Sequence, residues 1–202
     1  MRRTLALLVF VVGLSVLSIA QEVEPEITVW GGGSVANGHV FGFDKDRTLI
    51  LAGTSVSYPL WRSRFPIFYR ADLVPLAVLI EPTVTLATGH NGSNQTFSTY
   101  GAGASPVGMQ MNFPRWKGLQ PFAESTGGFL YFSHPVLNPL ASQFNFTIAA
   151  GAGVQWYFKP QVALTFGFKY HHMSNANITD HNPGVDTSIL YIGTTFRRKR
   201  LF

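Results

Sequence analysis

Three side chains near the end of the sequence are of the types needed for ester hydrolysis by a nucleophilic serine. They are His172, Ser174 and Asp186, in the chain order base, nucleophile, acid. A serine hydroxyl becomes reactive when an imidazole accepts its proton, and a carboxylate holds that imidazole in the required tautomer. We therefore take these three residues as candidates for a catalytic triad.

The residues before them predict a β-strand over residues 161–170. Successive side chains of a strand point to opposite faces, and the apolar row of this strand is continued by His172 and Ser174. Residues two apart on a strand have Cα atoms about 6.6 Å apart on one face, within reach of an imidazole and a hydroxymethyl group. His171 is the alternative candidate for the base, but the alternation of the strand points its side chain to the opposite face.

Three residues after the serine are predicted to complete the site. The side chain of Asn175 and the backbone amides of Ala176 and Asn177 lie in the turn after Ser174, where they can donate hydrogen bonds to an oxyanion. The alternative is that the histidine and serine are interfacial polar residues without a catalytic role. The other histidines lack metal-ligand spacing, so the sequence predicts neither a metal nor a cofactor.

The N-terminus predicts export. Residues 1–20 combine a basic start, an apolar run over residues 5–17 and a small-x-small site, which together are typical of a cleaved signal peptide. An uncleaved membrane anchor is the alternative. No later stretch of about 18 apolar residues occurs, so no transmembrane helix is predicted. Residues 21–202 then form one domain of ordinary size.

The composition narrows the class further. Charged residues make up only 12% of the 202 residues, and no cysteine is present, which excludes a disulfide framework. Twenty glycines and twelve prolines argue against a helical bundle. The net charge of +5 includes a basic run at residues 197–200, which we interpret as a solvated tail. Nucleic acid is not an expected partner of an exported chain with so small a basic patch.

From residue 26 the sequence divides into eight segments of alternating apolar and polar residues. The predicted strands cover residues 27–36, 47–57, 67–80, 98–113, 119–132, 144–158, 161–170 and 185–196. Eight such strands, with short turns at one end and longer polar loops at the other, predict an all-β fold. It is an eight-stranded antiparallel transmembrane β-barrel of the outer-membrane type. A secreted soluble barrel or sandwich is the alternative, because the sequence does not show which row faces inward.

The predicted topology places the candidate residues at one end of the barrel. If the N-terminus is periplasmic, odd strands run outward, so the end of the seventh strand lies at the external interface. Asp186 begins the neighbouring strand at the same height as His172, and its parity matches the apolar row. We therefore expect the three candidate side chains to meet on the lipid-facing surface at the level of the outer leaflet.

Residues 172–176 (HMSNA), followed by residues 182–186 (NPGVD), resemble the C-terminal signature of the lipid A 3-O-deacylase (acyloxyacyl hydrolase) family of outer-membrane barrels. The resemblance implies hydrolysis of the ester-linked acyl chain at the 3-position of lipid A in lipopolysaccharide. It implies Ser174 as nucleophile, His172 as base and Asp186 as the orienting acid. It also implies a place for Asn175 near the oxyanion. Better-known members carry Glu at the position of Asp186.

Two functions from different classes remain open. An esterase of this kind would act on lipid A within the outer membrane, and a homodimer is possible. A non-catalytic barrel would instead serve as a scaffold, an adhesin or a small pore. If the barrel is non-catalytic, substitution of His172 or Ser174 should cause no change in phenotype.

Overall fold

The alternating segments of the sequence form eight antiparallel strands in the computed structural model. The strands are β1 (Glu26–Asn37), β2 (Thr48–Trp61), β3 (Ile67–Pro82), β4 (Thr96–Asn112), β5 (Leu119–Phe132), β6 (Phe144–Lys159), β7 (Val162–Ser174) and β8 (Val185–Arg197). Each strand pairs with the next, and β1 pairs with β8, so the sheet closes into a barrel without a free edge. The predicted eight-stranded all-β barrel is confirmed.

The structure describes residues 25–37, 40–41, 47–61, 63–82, 96–136, 140–180, 182 and 184–197. The signal peptide predicted over residues 1–20 lies outside these ranges, as do residues 198–200 of the basic run. Arg197 is not part of a solvated tail, because its Nε donates to the buried carboxylate of Glu26 at 2.7 Å. Within the ranges given, no helix is long and apolar enough to span a membrane.

Two strands, β2 and β7, extend four residues beyond their predicted ends at residues 57 and 170. β2 continues to Trp61, because its register with β3 shifts beside Pro59 and the proline is not required to donate to the ladder. Pro75 is accommodated inside β3 in the same way, since the register shifts against both neighbouring strands. β7 continues to Ser174, which pairs with Phe146 of β6. The candidate histidine and serine therefore lie on the strand itself.

The two ends of the barrel differ in the length of their connections. Those after β2, β4 and β6 cover only residues 62–66, 113–118 and 160–161. Those after β1, β3, β5 and β7 cover residues 38–47, 83–95, 133–143 and 175–184. Short periplasmic turns and longer external loops are typical of outer-membrane barrels. The end of β7 and the start of β8 therefore lie on the external side.

The outer wall of the barrel is apolar. On β7 and β8 the outward row includes Phe166, Phe168, Leu190 and Ile192, whose exposed fractions lie between 43% and 54%. The pattern continues around the barrel, with exposed apolar side chains that include Ile27, Val29, Leu73, Val107, Met109, Phe146, Ile148 and Phe158. A soluble barrel would turn such a row inward, whereas a membrane barrel turns it toward lipid. The wall is therefore that of a transmembrane barrel.

Charged side chains fill the middle of the barrel. Arg70 is buried, and its Nε lies 3.0 Å from Asp72 Oδ1 while its Nη1 lies 2.7 Å from Glu124 Oε2. The Tyr191 hydroxyl donates to Glu124 Oε1 at 2.9 Å. Gly167 makes room for the Tyr191 ring, because a Cβ at residue 167 would lie 2.2 Å from Cζ. The inner row therefore includes a large aromatic residue as well as charged ones.

An apolar cluster closes the external end of the interior. Its buried members include Leu49, Leu79, Phe132, Val136, Met173, Val185 and Ile189. Together with the charged cluster it fills the interior of the part of the barrel that the structure describes. A filled interior argues against the pore alternative, which needs an open channel.

Candidate active site

His172 and Asp186 form a hydrogen-bonded pair across the β7–β8 ladder. They are directly opposite in register, and His172 Nδ1 lies 2.6 Å from Asp186 Oδ1. An ionised carboxylate only accepts hydrogen bonds, so we assign the proton to Nδ1, which leaves Nε2 as an acceptor. This is the tautomer that a general base for a serine nucleophile requires. The aspartate is therefore long enough to orient the imidazole.

Ser174 lies on the same face of β7 as His172, one pleat closer to the external end. Both side chains are half-buried and continue the outward row of the strand. In the described part of the chain, no hydrogen bond joins the Ser174 hydroxyl to His172. Catalytic hydrogen bonds are often long in a free enzyme and tighten in its complex with substrate. The structure thus joins base and acid, and it puts Ser174 two residues further along the same row of β7.

The acid is buried although its row faces the lipid. The side chain of Asp186 has no exposed area, and Phe41, in the connection between β1 and β2, contacts it. The backbone N–H of Phe41 in this loop donates to Asp186 Oδ2 at 2.6 Å. The Tyr170 hydroxyl also donates to the carboxylate, and it accepts a hydrogen bond from the Val40 N–H at 3.2 Å. Together with His172 Nδ1, three donors therefore contact the acid, two from β7 and one from the connection between β1 and β2.

Phe41 also contacts the base. Its ring centroid lies 5.6 Å from that of His172, with an interplanar angle of 68°, which is an edge-to-face arrangement. Sequence reasoning missed both Phe41 and Tyr170. Tyr170 lies two residues before His172 on the same outward row, so the alternation of the strand could have identified it. Phe41 had no such signal, because its place depends on how a loop folds over strands at the other end of the chain.

Asn175 builds the turn after β7. Its side chain is buried, with Oδ1 accepting from the Asn177 N–H at 2.9 Å and Nδ2 donating to Thr179 Oγ1 at 2.9 Å. Ala176 and Asn177 have φ angles of 51° and 61°, in the left-handed region that L-residues seldom adopt. The Asn175 side chain stabilises this backbone. The oxyanion role predicted for Asn175, Ala176 and Asn177 stays a prediction.

An apolar groove of about 580 Å³ runs along the outer wall beneath the histidine–aspartate pair. Its lining comes from β1, β6, β7 and β8 and includes Gly31, Val154, Phe166, Phe168, Leu190 and Ile192. Phe168 pairs with Leu190, and His172 lies four residues beyond Phe168 on the same face. Four residues of a strand span about 13 Å. The groove therefore lies on the membrane side of the candidate site, with Phe168 about 13 Å along the strand from His172.

The side chains present are suited to acyl transfer. Ser174 supplies a hydroxyl and His172 an imidazole, both on the lipid-facing wall, and the buried carboxylate of Asp186 orients the imidazole. Across the ranges that the structure describes, no three His, Asp or Glu side chains converge closely enough to hold a metal ion.

The chain matches a known family in sequence. The profile of the family described as Lipid A 3-O-deacylase (PagL) matches residues 54–195, more than half of the chain, and the match includes His172, Ser174 and Asp186. No curated protein matches the chain significantly.

Solved structures share the barrel fold. The outer membrane enzyme PagL superimposes with a TM-score of 0.59 at 17% identity, covering 83% of this chain and 97% of that chain. The outer membrane protein OprG from Pseudomonas aeruginosa gives a TM-score of 0.52 at 10% identity, covering 87% of this chain and 96% of that chain. At these identities the likenesses show the fold alone. None of the comparisons supports the homodimer.

Proposed function

Because the chain belongs to the lipid A 3-O-deacylase (PagL) family, we propose that it is an outer-membrane esterase that removes the 3-O-linked acyl chain of lipid A. The observation that carries the proposal is the 2.6 Å hydrogen bond between His172 and Asp186 at the external end of the lipid-facing wall. Ser174 stands next on the same row. His172 and Ser174 thus lie on the lipid-facing wall at the level of the leaflet that contains lipopolysaccharide, with Asp186 buried behind the histidine.

In the proposed mechanism Ser174 Oγ attacks the ester carbonyl while His172 Nε2 accepts the hydroxyl proton. The Asp186 carboxylate keeps the imidazole oriented and stabilises the imidazolium. The imidazolium then donates its proton to the leaving 3-oxygen, and the acyl chain remains bound to the serine as an ester. Water, deprotonated by the same imidazole, attacks this ester, releases the free fatty acid and regenerates the serine.

The apolar groove supports an acylated substrate. Its lining is almost entirely apolar, as the binding of an acyl chain requires. A chain attached to the carbonyl at Ser174 can follow the row past Tyr170 to Phe168 and remain in apolar surroundings. The ester then lies at the level of the headgroups, where water for the second step is available.

Mass spectrometry of lipid A from a Gram-negative host that expresses the protein tests the proposal. The wild type should yield lipid A lighter by one ester-linked acyl chain, and Ser174→Ala should leave the lipid A mass unchanged. Ser188→Ala is the matched control, because Ser188 is half-buried on the same face, opposite Tyr170, and it should behave as the wild type. A correctly inserted wild type that leaves every lipid A mass unchanged contradicts the proposal.

Covalent labelling separates an esterase from a non-catalytic scaffold or adhesin. A fluorophosphonate should label the folded wild type at Ser174, and His172→Ala should abolish the labelling because the nucleophile loses its base. Ser188→Ala should be labelled normally. Absence of labelling in the wild type, in membranes where the barrel is folded, would favour the scaffold or adhesin.

A further inference from the structure

The periplasmic end of the barrel carries exposed cations that the proposed reaction does not use. Arg64, Lys117 and Lys159 are exposed, and each lies on or directly beside one of the three short turns. We call these three residues the basic collar. Arg62 lies in the first of these turns, and a further basic run, residues 198–200, follows the end of β8.

The short turns at this end carry no acidic residues that would neutralise the positive charge. Residues 62–66, 113–118 and 159–161 contain no Asp or Glu. The acid that the structure places at this end, Glu26, is buried and paired with Arg197. The external loops, in contrast, contain Asp44, Asp46 and Asp180. The positive charge is therefore concentrated at the end of the barrel opposite the candidate active site.

Exposed aromatic residues alternate with the collar. Trp61, Phe65, Trp116 and Phe158 are all exposed at this end, with exposed fractions of 42% to 65%. Lys117 Nζ lies 4.8 Å from the centroid of the Trp116 ring, and the Arg64 guanidinium lies 5.8 Å from that of Phe65. Aromatic girdles of membrane barrels lie at the level of the lipid headgroups. The collar cations are therefore at the depth of the lipid phosphates.

The collar surrounds the barrel and is not confined to one side. Its members belong to the turns between β2 and β3, between β4 and β5, and between β6 and β7, which follow one another around the closed sheet. A protein partner would contact one side of the rim, whereas a lipid leaflet contacts all sides. We propose that the basic collar binds the phosphodiester groups of anionic phospholipids in the periplasmic leaflet, and so holds the barrel at a fixed depth and orientation.

Quenching of tryptophan fluorescence by brominated lipids tests the proposal, since Trp61 and Trp116 lie at the collar. The purified protein is reconstituted with brominated phosphatidylglycerol or brominated phosphatidylcholine, and the relative binding constants are compared. The wild type should prefer the anionic lipid by about fivefold, the factor that one basic residue near a membrane surface contributes. The triple variant Arg64→Gln, Lys117→Gln, Lys159→Gln should lose this preference.

The charge-preserving variant Arg64→Lys, Lys117→Arg, Lys159→Arg is the matched control and should keep the preference. High salt should weaken the preference in the wild type because it screens exposed charges. Equal preference in the wild type and the glutamine variant overturns the proposal. Loss of the preference in millimolar inorganic phosphate, with no such loss in chloride of equal ionic strength, also overturns it, because free phosphate would then be the ligand. The glutamine variant should still deacylate lipid A, so this result is independent of the proposed esterase activity.

Discussion

The backbone N–H of Phe41 should determine how well Asp186 orients His172, the proposed base. It donates to Asp186 Oδ2 at 2.6 Å, while Oδ1 of the same carboxylate contacts His172. Phe41→Pro removes this donor and the aromatic ring, whereas Phe41→Ala removes the ring and keeps the donor. The two variants therefore differ in this hydrogen bond and in the backbone restraint that proline imposes on residues 40 and 41.

The size of the expected effect follows from the burial of the acid. The side chain of Asp186 has no exposed area, so water does not replace the lost donor. A hydrogen bond to a charged group contributes about 1.5–3 kcal/mol. If the bond orients the acid in the transition state, kcat of the proline variant should be about tenfold to about a hundredfold below that of the alanine variant. KM should be similar in both, because Phe41 lies beside the acid and not in the apolar groove.

Release of fatty acid from lipid A in mixed micelles, followed by mass spectrometry, gives kcat and KM for both variants. Heat-modifiable migration in gels checks that each barrel is folded. Equal kcat values for the proline and alanine variants would refute the reasoning, because the amide would then not orient the acid. Tyr170→Phe removes a second donor to the same carboxylate and should also lower kcat without changing KM.

Three further predictions concern the acid, the groove and the interior. Asp186→Glu adds a methylene group to a fully buried site and should lower kcat by at least about fivefold, since overpacking costs about 1–3 kcal/mol. Full activity on lipid A would show that the site accepts the longer side chain. Gly31→Leu fills the groove and should raise KM for lipid A but not for a short-chain soluble ester. There is room for its Cβ, whose nearest neighbour would lie at 3.8 Å. Unchanged kinetics would show that the groove does not bind the substrate. Glu124→Gln breaks the buried pair with Arg70 and should lower the free energy of unfolding by about 3–5 kcal/mol, with activity retained. Urea unfolding measures the change, and an unchanged urea midpoint would show that the pair does not stabilise the barrel.

The strands were predictable from the sequence, and the errors in the prediction have physical causes. All eight strands were predicted, because alternation of side chains is a local property of extended backbone. The end of β2 was predicted at residue 57, which is too early, because a register shift lets the strand continue past Pro59. The large aromatic ring of Tyr191 inside the barrel was not predicted. Its place depends on Gly167, a residue on the neighbouring strand.

Within the candidate site, the sequence by itself determined which residues share a face. Two-residue periodicity put His172 and Ser174 on one row, and strand order put Asp186 beside them. Only the tertiary structure decided that this row lies on the outer wall, because the direction of a sheet's apolar face depends on how the sheet closes. It also decided that the acid is buried under Phe41, a contact between residues 145 positions apart. Such a contact depends on the folding of a loop over a distant strand, and no local pattern of residues encodes it.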